Sequence, residues 1–575
     1  MDNQRLLTWA FFGIMVWMTY QAWQLDYAQP PSTLPVAADA PTVEPLDSGL
    51  PELTELTDPA DDTIDAPVVL PAFDAEQPRR DDVLQPAIRV ETDVLDLEIS
   101  MLGGTLQQAR MLEYPVAKDR PDQLVDLLST DPNAIGLIQS GLRSTGDGPE
   151  ANHRADFESA RTSYTIDSSG VLIVPMTWSD GRGISVEKRY RFTRGSYKVE
   201  LTQTVTNRSD ISWRGAEYVQ ILRESFAPER SMFDVDSYSF AGPIIYDGDK
   251  SEKLKRDDLI DDGAYSITAT NGWVGAIQHH FVTAVIPEPG TSQRFSVSVR
   301  GQISTASAIG PTVVVEPGES HSFQTTIFIG PKLQSQLEEI DSSLKLTVDY
   351  GWLTIISQPL FWLLSKAFSL FGNWGVAIIS VTLLIKLAFY KLTEASGRSM
   401  AKMRNLQPRI KALQERYKDD KQQQSQAMMD LYKREKVNPA AGCLPILIQM
   451  PFFLAFYWVL LESVEMRQAP FALWITDLST RDPFFILPLI MGAAMFFQQK
   501  LNPQVGDPVQ VKVMQIMPVI FTVFFAFFPS GLVLYWVTNT LLSIAQQWKI
   551  NKVVEREGKQ QQGKQQQGGK KPKGS

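Results

Sequence analysis

VAIISVTLLIKLAFY, residues 376–390, decides how this chain is read. It is an apolar run of membrane character, broken only by Ser380, Thr382 and Lys386. A lysine near the middle of a spanning helix costs on the order of 2.5 to 3.5 kcal/mol on insertion scales, so it is retained where it faces a wet cavity or a partner. The bland alternative is snorkelling. Lys391 lies five residues on, roughly 7.5 Å at helical rise, and a long side chain can reach that far to the interface. On position alone both readings stand.

Four more apolar segments follow, at 444–461, 484–497, 514–528 and 532–544. Several fall short of the roughly 20 residues of a full span, so flanking residues must join them. An earlier run, LLTWAFFGIMVWMTYQAW at 6–23, is uncharged and preceded by Arg5. It reads as an uncleaved anchor; a cleaved signal peptide is the rival, but its core would be shorter and poorer in tryptophan. That makes six spans, and an even number puts both termini on one side. Residues 391–442 hold twelve Lys or Arg against six acids, and residues 548–575 eight against two. Without those two surpluses the net charge of -11 becomes about -23, most of it before Val348. By the positive-inside tendency the two basic segments face the cytoplasm and the acidic part faces out.

The acidic part divides again. Residues 26–86 are rich in Pro, Asp, Thr and Ala, the composition of a disordered linker. From 87 to 342, alternating stretches such as VLIVPMTW and SYKVELTQTV are separated by Gly, Asn and Asp turns, which predicts a large antiparallel β-sandwich. The expected layout is an anchor at 1–25, the linker at 26–86, the sandwich at 87–342 and an amphipathic helix on the outer membrane surface at 343–371. Then come spans at 372–390, 443–463, 483–499, 514–529 and 530–547. A cytoplasmic hairpin at 391–442, an outer loop at 464–482, a cytoplasmic loop at 500–513 and a basic tail at 548–575 complete the chain. The fold class is thus a polytopic α-helical membrane protein with a large outer β-sandwich.

The hairpin is predicted from Met400, Met403, Leu406, Ile410, Leu413 and Tyr417, which recur at three- and four-residue spacing, followed by a turn at Asp419-Asp420 and the helical run SQAMMDLYKREK. A solvated connector is the plain alternative, yet 50 residues of patterned helix exceed what a connection needs.

No phosphate-binding glycine loop, H-E-x-x-H or G-x-S-x-G is present, so no cofactor and no metal is expected. The single Cys443 excludes an intrachain disulfide, and all four histidines (His153, His279, His280 and His321) lie in the acidic part. The weight shifts toward binding or transport. Thr382 stands one turn before Lys386, and Gln449 lies in the next span between Pro445 and Pro451. Together these would line a polar furrow ending inside the bilayer.

Residues 399–439 (SMAKMRNLQPRIKALQERYKDDKQQQSQAMMDLYKREKVNP), 442–460 (GCLPILIQMPFFLAFYWVL), 467–488 (RQAPFALWITDLSTRDPFFILP) and 517–536 (MPVIFTVFFAFFPSGLVLYW) resemble the YidC insertases, relatives of the mitochondrial Oxa and chloroplast Albino proteins. The resemblance runs from about Asp349 to Glu555; the anchor and large outer domain resemble the Gram-negative form. It implies an inner-membrane insertase and chaperone, not an enzyme, with both termini cytoplasmic, the β-domain periplasmic and five spans forming the conserved bundle. Lys386 matches the positive residue of a hydrophilic groove, which Thr382 and Gln449 line. Met450, Pro451, Tyr535 and Trp536 match a surface along which substrate helices slide. The groove residue is commonly arginine in the family, and proline commonly stands where this chain has Lys391.

The expected mechanism follows from the cost of moving polar chain through hydrocarbon. A wet groove shortens that barrier, and Lys386 attracts the acidic segment ahead of a substrate helix. Met400, Met403, Met428 and Met429 would offer the hairpin an adaptable recruiting surface. The expected partners are nascent membrane proteins, membrane lipids, the ribosome through the basic tail and cytoplasmic loops, and, from the resemblance, the Sec translocon. A secondary transporter is one rival, though no internal repeat of spans is visible. A membrane-anchored enzyme working through the β-domain is the other.

Overall fold

In the computed structural model the described residues are 86–145, 149–224, 239–418, 420–435, 437, 444–501 and 508–568. The expected anchor, the linker and Cys443 lie outside them. The chain divides into two compact units at Val348.

The first unit is a sandwich of one 11-stranded and one 8-stranded sheet. Alternation of side chains builds it: along Lys198–Asn207 every second residue is buried, the pattern of a strand with one face on a core. That strand pairs with Ile184–Thr193, placing Phe192 opposite Val199, Tyr190 opposite Leu201 and Val186 opposite Val205 on the inner face. Pairing is antiparallel throughout with one departure from the expected class, a three-residue parallel contact between Ala87–Glu91 and Ser163–Thr165. Two short helices accompany the strands, α1 (Arg256–Asp261) and α2 (Gln334–Ile340).

The interior of this sandwich is not wholly apolar. Lys188, fully buried, crosses between the sheets to donate to the Gly103 carbonyl at 2.6 Å and to the Ser140 carbonyl and hydroxyl at 2.8 and 3.0 Å. Its three N–H groups thereby meet three oxygens, and its ammonium lies 4.7 Å from the Phe157 ring centre. Glu217, from the large sheet, accepts from Thr325 of the other at 3.3 Å. Burial disfavours both charges: it pulls the Lys188 ammonium down from 10.5 to about 7 and pushes the Glu217 carboxyl up from 4.5 to about 8. Keeping Lys188 charged costs stability in full below pH 7, and the cost fades as the pH rises to 10.5. For Glu217 the cost is absent below pH 4.5 and complete above pH 8. The two together predict a stability minimum between pH 7 and 8. In thermal unfolding across pH, Glu217→Gln should remove the limb that falls toward that minimum and Lys188→Met the limb that rises from it. At the alkaline end, where the ammonium's cost has faded, Lys188→Met should lower stability by about 1–3 kcal/mol, because buried carbonyls lose their donor.

The second unit is helical: α3 (Thr354–Phe371), α4 (Trp374–Ala388), α5 (Tyr390–Arg416), α6 (Lys421–Arg434), α7 (Leu444–Glu462), α8 (Ile486–Leu501), α9 (Pro508–Phe525) and α10 (Ser530–Gly568). Asn373 caps α4 by accepting from the Val376 amide at 3.0 Å, and Gly372, at φ +65°, ends α3 in the left-handed conformation that glycine adopts without strain. On α3 the buried face is Ser357, Leu360, Phe361 and Leu364, while Ile355 and Trp362 are exposed. The helix therefore has two apolar faces, one for protein and one turned outward.

By length and composition no single helix among the described residues crosses a membrane on its own; α4 and α5 qualify together, bent by 69° where they meet. The expected spans α7, α8 and α9 are apolar but short. The 19 residues of α7 reach roughly 28 Å at helical rise, against a hydrocarbon core of about 30 Å. At the other extreme, the last expected span and the start of the tail are one 39-residue helix, α10, so no break falls at 547.

α5 and α6 form the expected hairpin, with Met403, Leu406, Ile410, Tyr432 and Val437 in its seam and Met400 and Met428 packed against them. This corrects the expectation of a four-methionine recruiting surface. A residue that recurs at seam spacing is consumed by the seam, and of the four only Met429 is exposed. The base of α5 also packs on α10, where Ala401 meets Ile550 and Val554.

Candidate functional site

α4, α7 and α10 meet at a cleft open on one side, lined by Thr382, Lys386, Gln449, Tyr535 and Asn539 among apolar neighbours such as Ile385 and Phe452. Among the described residues its lining contains one cation and no carboxylate. The three residues expected in a polar furrow, Lys386, Thr382 and Gln449, thus border one space.

Lys386 sits in the last turn of α4. Its ammonium is bonded sideways, to Asn539 Oδ1 at 2.9 Å and Ser543 Oγ at 2.7 Å on α10, rather than extended along its own helix toward Lys391. Exposed Leu383, Leu384 and Leu387 flank it on the outer side of α4. Thr382 is buried and its hydroxyl donates to the Ile378 carbonyl at 2.6 Å, so it contributes an oxygen to the cleft wall and holds no free proton there. Gln449 reaches across from α7 to the Tyr535 hydroxyl.

The four residues expected to form a sliding surface divide. Tyr535 is buried, stacked on Phe456 with ring centres 4.3 Å apart. Trp536 is half-buried in an aromatic cluster with Phe453 at 4.9 Å and Phe525 at 5.2 Å. Met450 is exposed, and Pro451 sits inside α7, where it removes one backbone donor. An aromatic wall joining α7, α9 and α10 therefore stands beside the cleft, with Met450 next to it in sequence.

Sequence reasoning missed Asn539 and Ser543. The signal was present: two polar residues four apart in the last apolar run, hence on one face of its helix. Their partner lies more than 150 residues away in sequence, a pairing no local pattern reveals. Nor did it see Gln546, which donates to the Tyr390 carbonyl at 3.4 Å and ties α10 to the bend between α4 and α5.

Comparison with known proteins covers nearly the whole chain. The YidC periplasmic domain family matches residues 87–363 and the 60Kd inner membrane protein family residues 366–557. The membrane protein insertase YidC of Methylococcus capsulatus is 45% identical over 561 residues, covering 97% of this chain and 99% of its own. That of Nitrosococcus oceani is 43% identical over 569 residues, covering 97% and 100%. Among solved structures, an active YidC insertase with its first transmembrane domain resolved aligns with a TM-score of 0.37 at 19% identity, covering 80% of this chain and 92% of its own. With two family matches that between them run from residue 87 to residue 557, and relatives above 40% identity end to end, the chain belongs to the YidC family of membrane protein insertases.

Proposed function

We propose that this protein inserts nascent membrane proteins into the bacterial inner membrane, and that the cleft bordered by Lys386 receives the short polar segment preceding a substrate helix. The observation that carries the cleft's part is a cation held among neutral neighbours, with no carboxylate among the described lining residues to satisfy it. An apolar substrate helix gains by partitioning into lipid, whereas the polar segment ahead of it pays desolvation. A cleft with Lys386, Gln449 and Asn539 on its walls replaces part of that segment's lost hydration.

In this reading the six spans include the anchor, α7 to α9 cross with help from their flanks, both termini are cytoplasmic, and the β-unit is periplasmic. Met450 and the aromatic wall of Tyr535 and Trp536 guide the substrate helix out between α7 and α9. Met429, the exposed methionine of the hairpin, and the basic end of the chain make the first contacts with substrate and ribosome. Anionic lipids attract the same basic end, and the Sec translocon is a further partner.

The test is reconstitution of the full chain in liposomes with a short single-span substrate that carries an acidic outer segment. Protease protection of that segment without nucleotide or other protein is the expected result. No protection above empty liposomes would sink the reading.

A further inference from the structure

We propose that Asn539 and Ser543 are positioning residues for the cleft cation: they hold the Lys386 ammonium against α10 without neutralising it, leaving its charge and one donor to the substrate's carboxylate. The inference rests on the cleft reading above and adds to it which residues make the cation usable.

The geometry is specific. Asn539 and Ser543 stand one helical turn apart on α10, and both accept from the same ammonium, at 2.9 and 2.7 Å. Ser543 can only accept in that pair, because its own proton goes to the Asn539 carbonyl at 2.7 Å. An ammonium has three N–H donors, so two bonds leave one. Both acceptors are neutral. A carboxylate in either place would pair with Lys386 and compete with any acidic segment, whereas an amide and a hydroxyl satisfy donors and leave the net charge standing. The Gln546 contact to Tyr390 ties α10 to the first residue of α5, just past the end of α4, so the bend that follows Lys386 is restrained against α10 as well.

The chemistry yields a test that separates positioning from mere packing. Asn539→Asp keeps size, shape and hydrogen-bond acceptor; if Asn539 served only to hold α4 against α10, aspartate would serve as well. Insertion is measured in liposomes for two substrates alike except for an acidic or a neutral outer segment, and the readout is the ratio of the two. We expect Asn539→Asp to lower that ratio about tenfold, matching Lys386→Ala, and Ser543→Ala to lower it about threefold. Ser543→Ala combined with Lys386→Ala should be no lower than Lys386→Ala alone, because without the ammonium the Ser543 acceptor has nothing to hold. A ratio within twofold of the parent in Asn539→Asp, including the case where both substrates decline together, would overturn the proposal. So would additive losses in the double variant. If Lys386→Ala itself leaves the ratio unchanged, the cleft reading fails first; if Lys386→Ala lowers it and Asn539→Asp does not, only the positioning role fails.

Discussion

Insertion of a substrate with an acidic outer segment should fall by roughly 10- to 100-fold in Lys386→Ala and stay within a few-fold of the parent in Lys386→Arg. Two unit charges about 4 Å apart attract by about 4 kcal/mol at an effective dielectric near 20, and an open, partly wet cleft screens this to about 1.5–3 kcal/mol. That range corresponds to about one to two decades in rate. The alanine variant loses the charge and also leaves Asn539 and Ser543 without their donor. Arginine restores a cation and can donate to both oxygens through its planar fork, though its larger head cannot sit where a compact ammonium does. The loss should shrink for a neutral segment and as ionic strength rises, since an attraction in an open cleft is screened. The measurement is initial insertion rate in liposomes over a salt series. A salt-independent loss equal for both substrates would point to misfolding of α4 instead.

Gly375→Val should damage insertion of every substrate, whatever its charge. Gly375 opens α4 where the helix end meets the loop at Phe471: a Cβ built there would lie 2.0 Å from a Phe471 ring carbon and 2.8 Å from the Phe471 Cβ. Rotating the ring cannot relieve the second contact, so backbone must move. Asn373 fixes the same junction twice, capping Val376 and donating to the Phe471 carbonyl at 2.9 Å. Overpacking of this kind costs about 1–3 kcal/mol, and the moving part is the helix that carries Lys386. The expected result is a lower unfolding midpoint, followed by far-UV circular dichroism, together with equal losses for acidic and neutral substrates. Asn373→Ala should show the same pattern at about 1 kcal/mol, the usual cost of a lost helix cap. The contrast with Lys386→Ala separates a displaced helix from a missing charge.

Much of this organisation was legible in the amino-acid sequence because the signals are local and periodic. Alternation over KVELTQTVTN declares a strand with one buried face, and the spacing of Met403, Leu406 and Ile410 declares a helix with a seam. The same spacing should have warned that Met403 belongs to that seam, since a seam residue cannot also be an open recruiting surface. Thr382 and Lys386, one turn apart on α4, do border one cleft with Gln449. What local patterning cannot supply is the third wall. Asn539 and Ser543 are ordinary polar residues until α10 packs on α4, and only then does the lysine's direction become fixed. Lys188 and Glu217 escape notice for a like reason: on alternating strands each could as well face water, and only the opposite sheet reveals that they face inward.

The most direct test of the cleft's role is to locate the acidic segment during insertion. With Cys443→Ser as background, single cysteines at Ile448 or Gln449 on the cleft side of α7 are compared with one at Leu489, exposed on α8 away from the cleft lining. A substrate stalled part-way carries one cysteine in its acidic segment. Disulfide cross-links are expected at 448 and 449, weakened by Lys386→Ala, with little at 489. Cross-links of equal yield at all three positions, or only at 489, would contradict it.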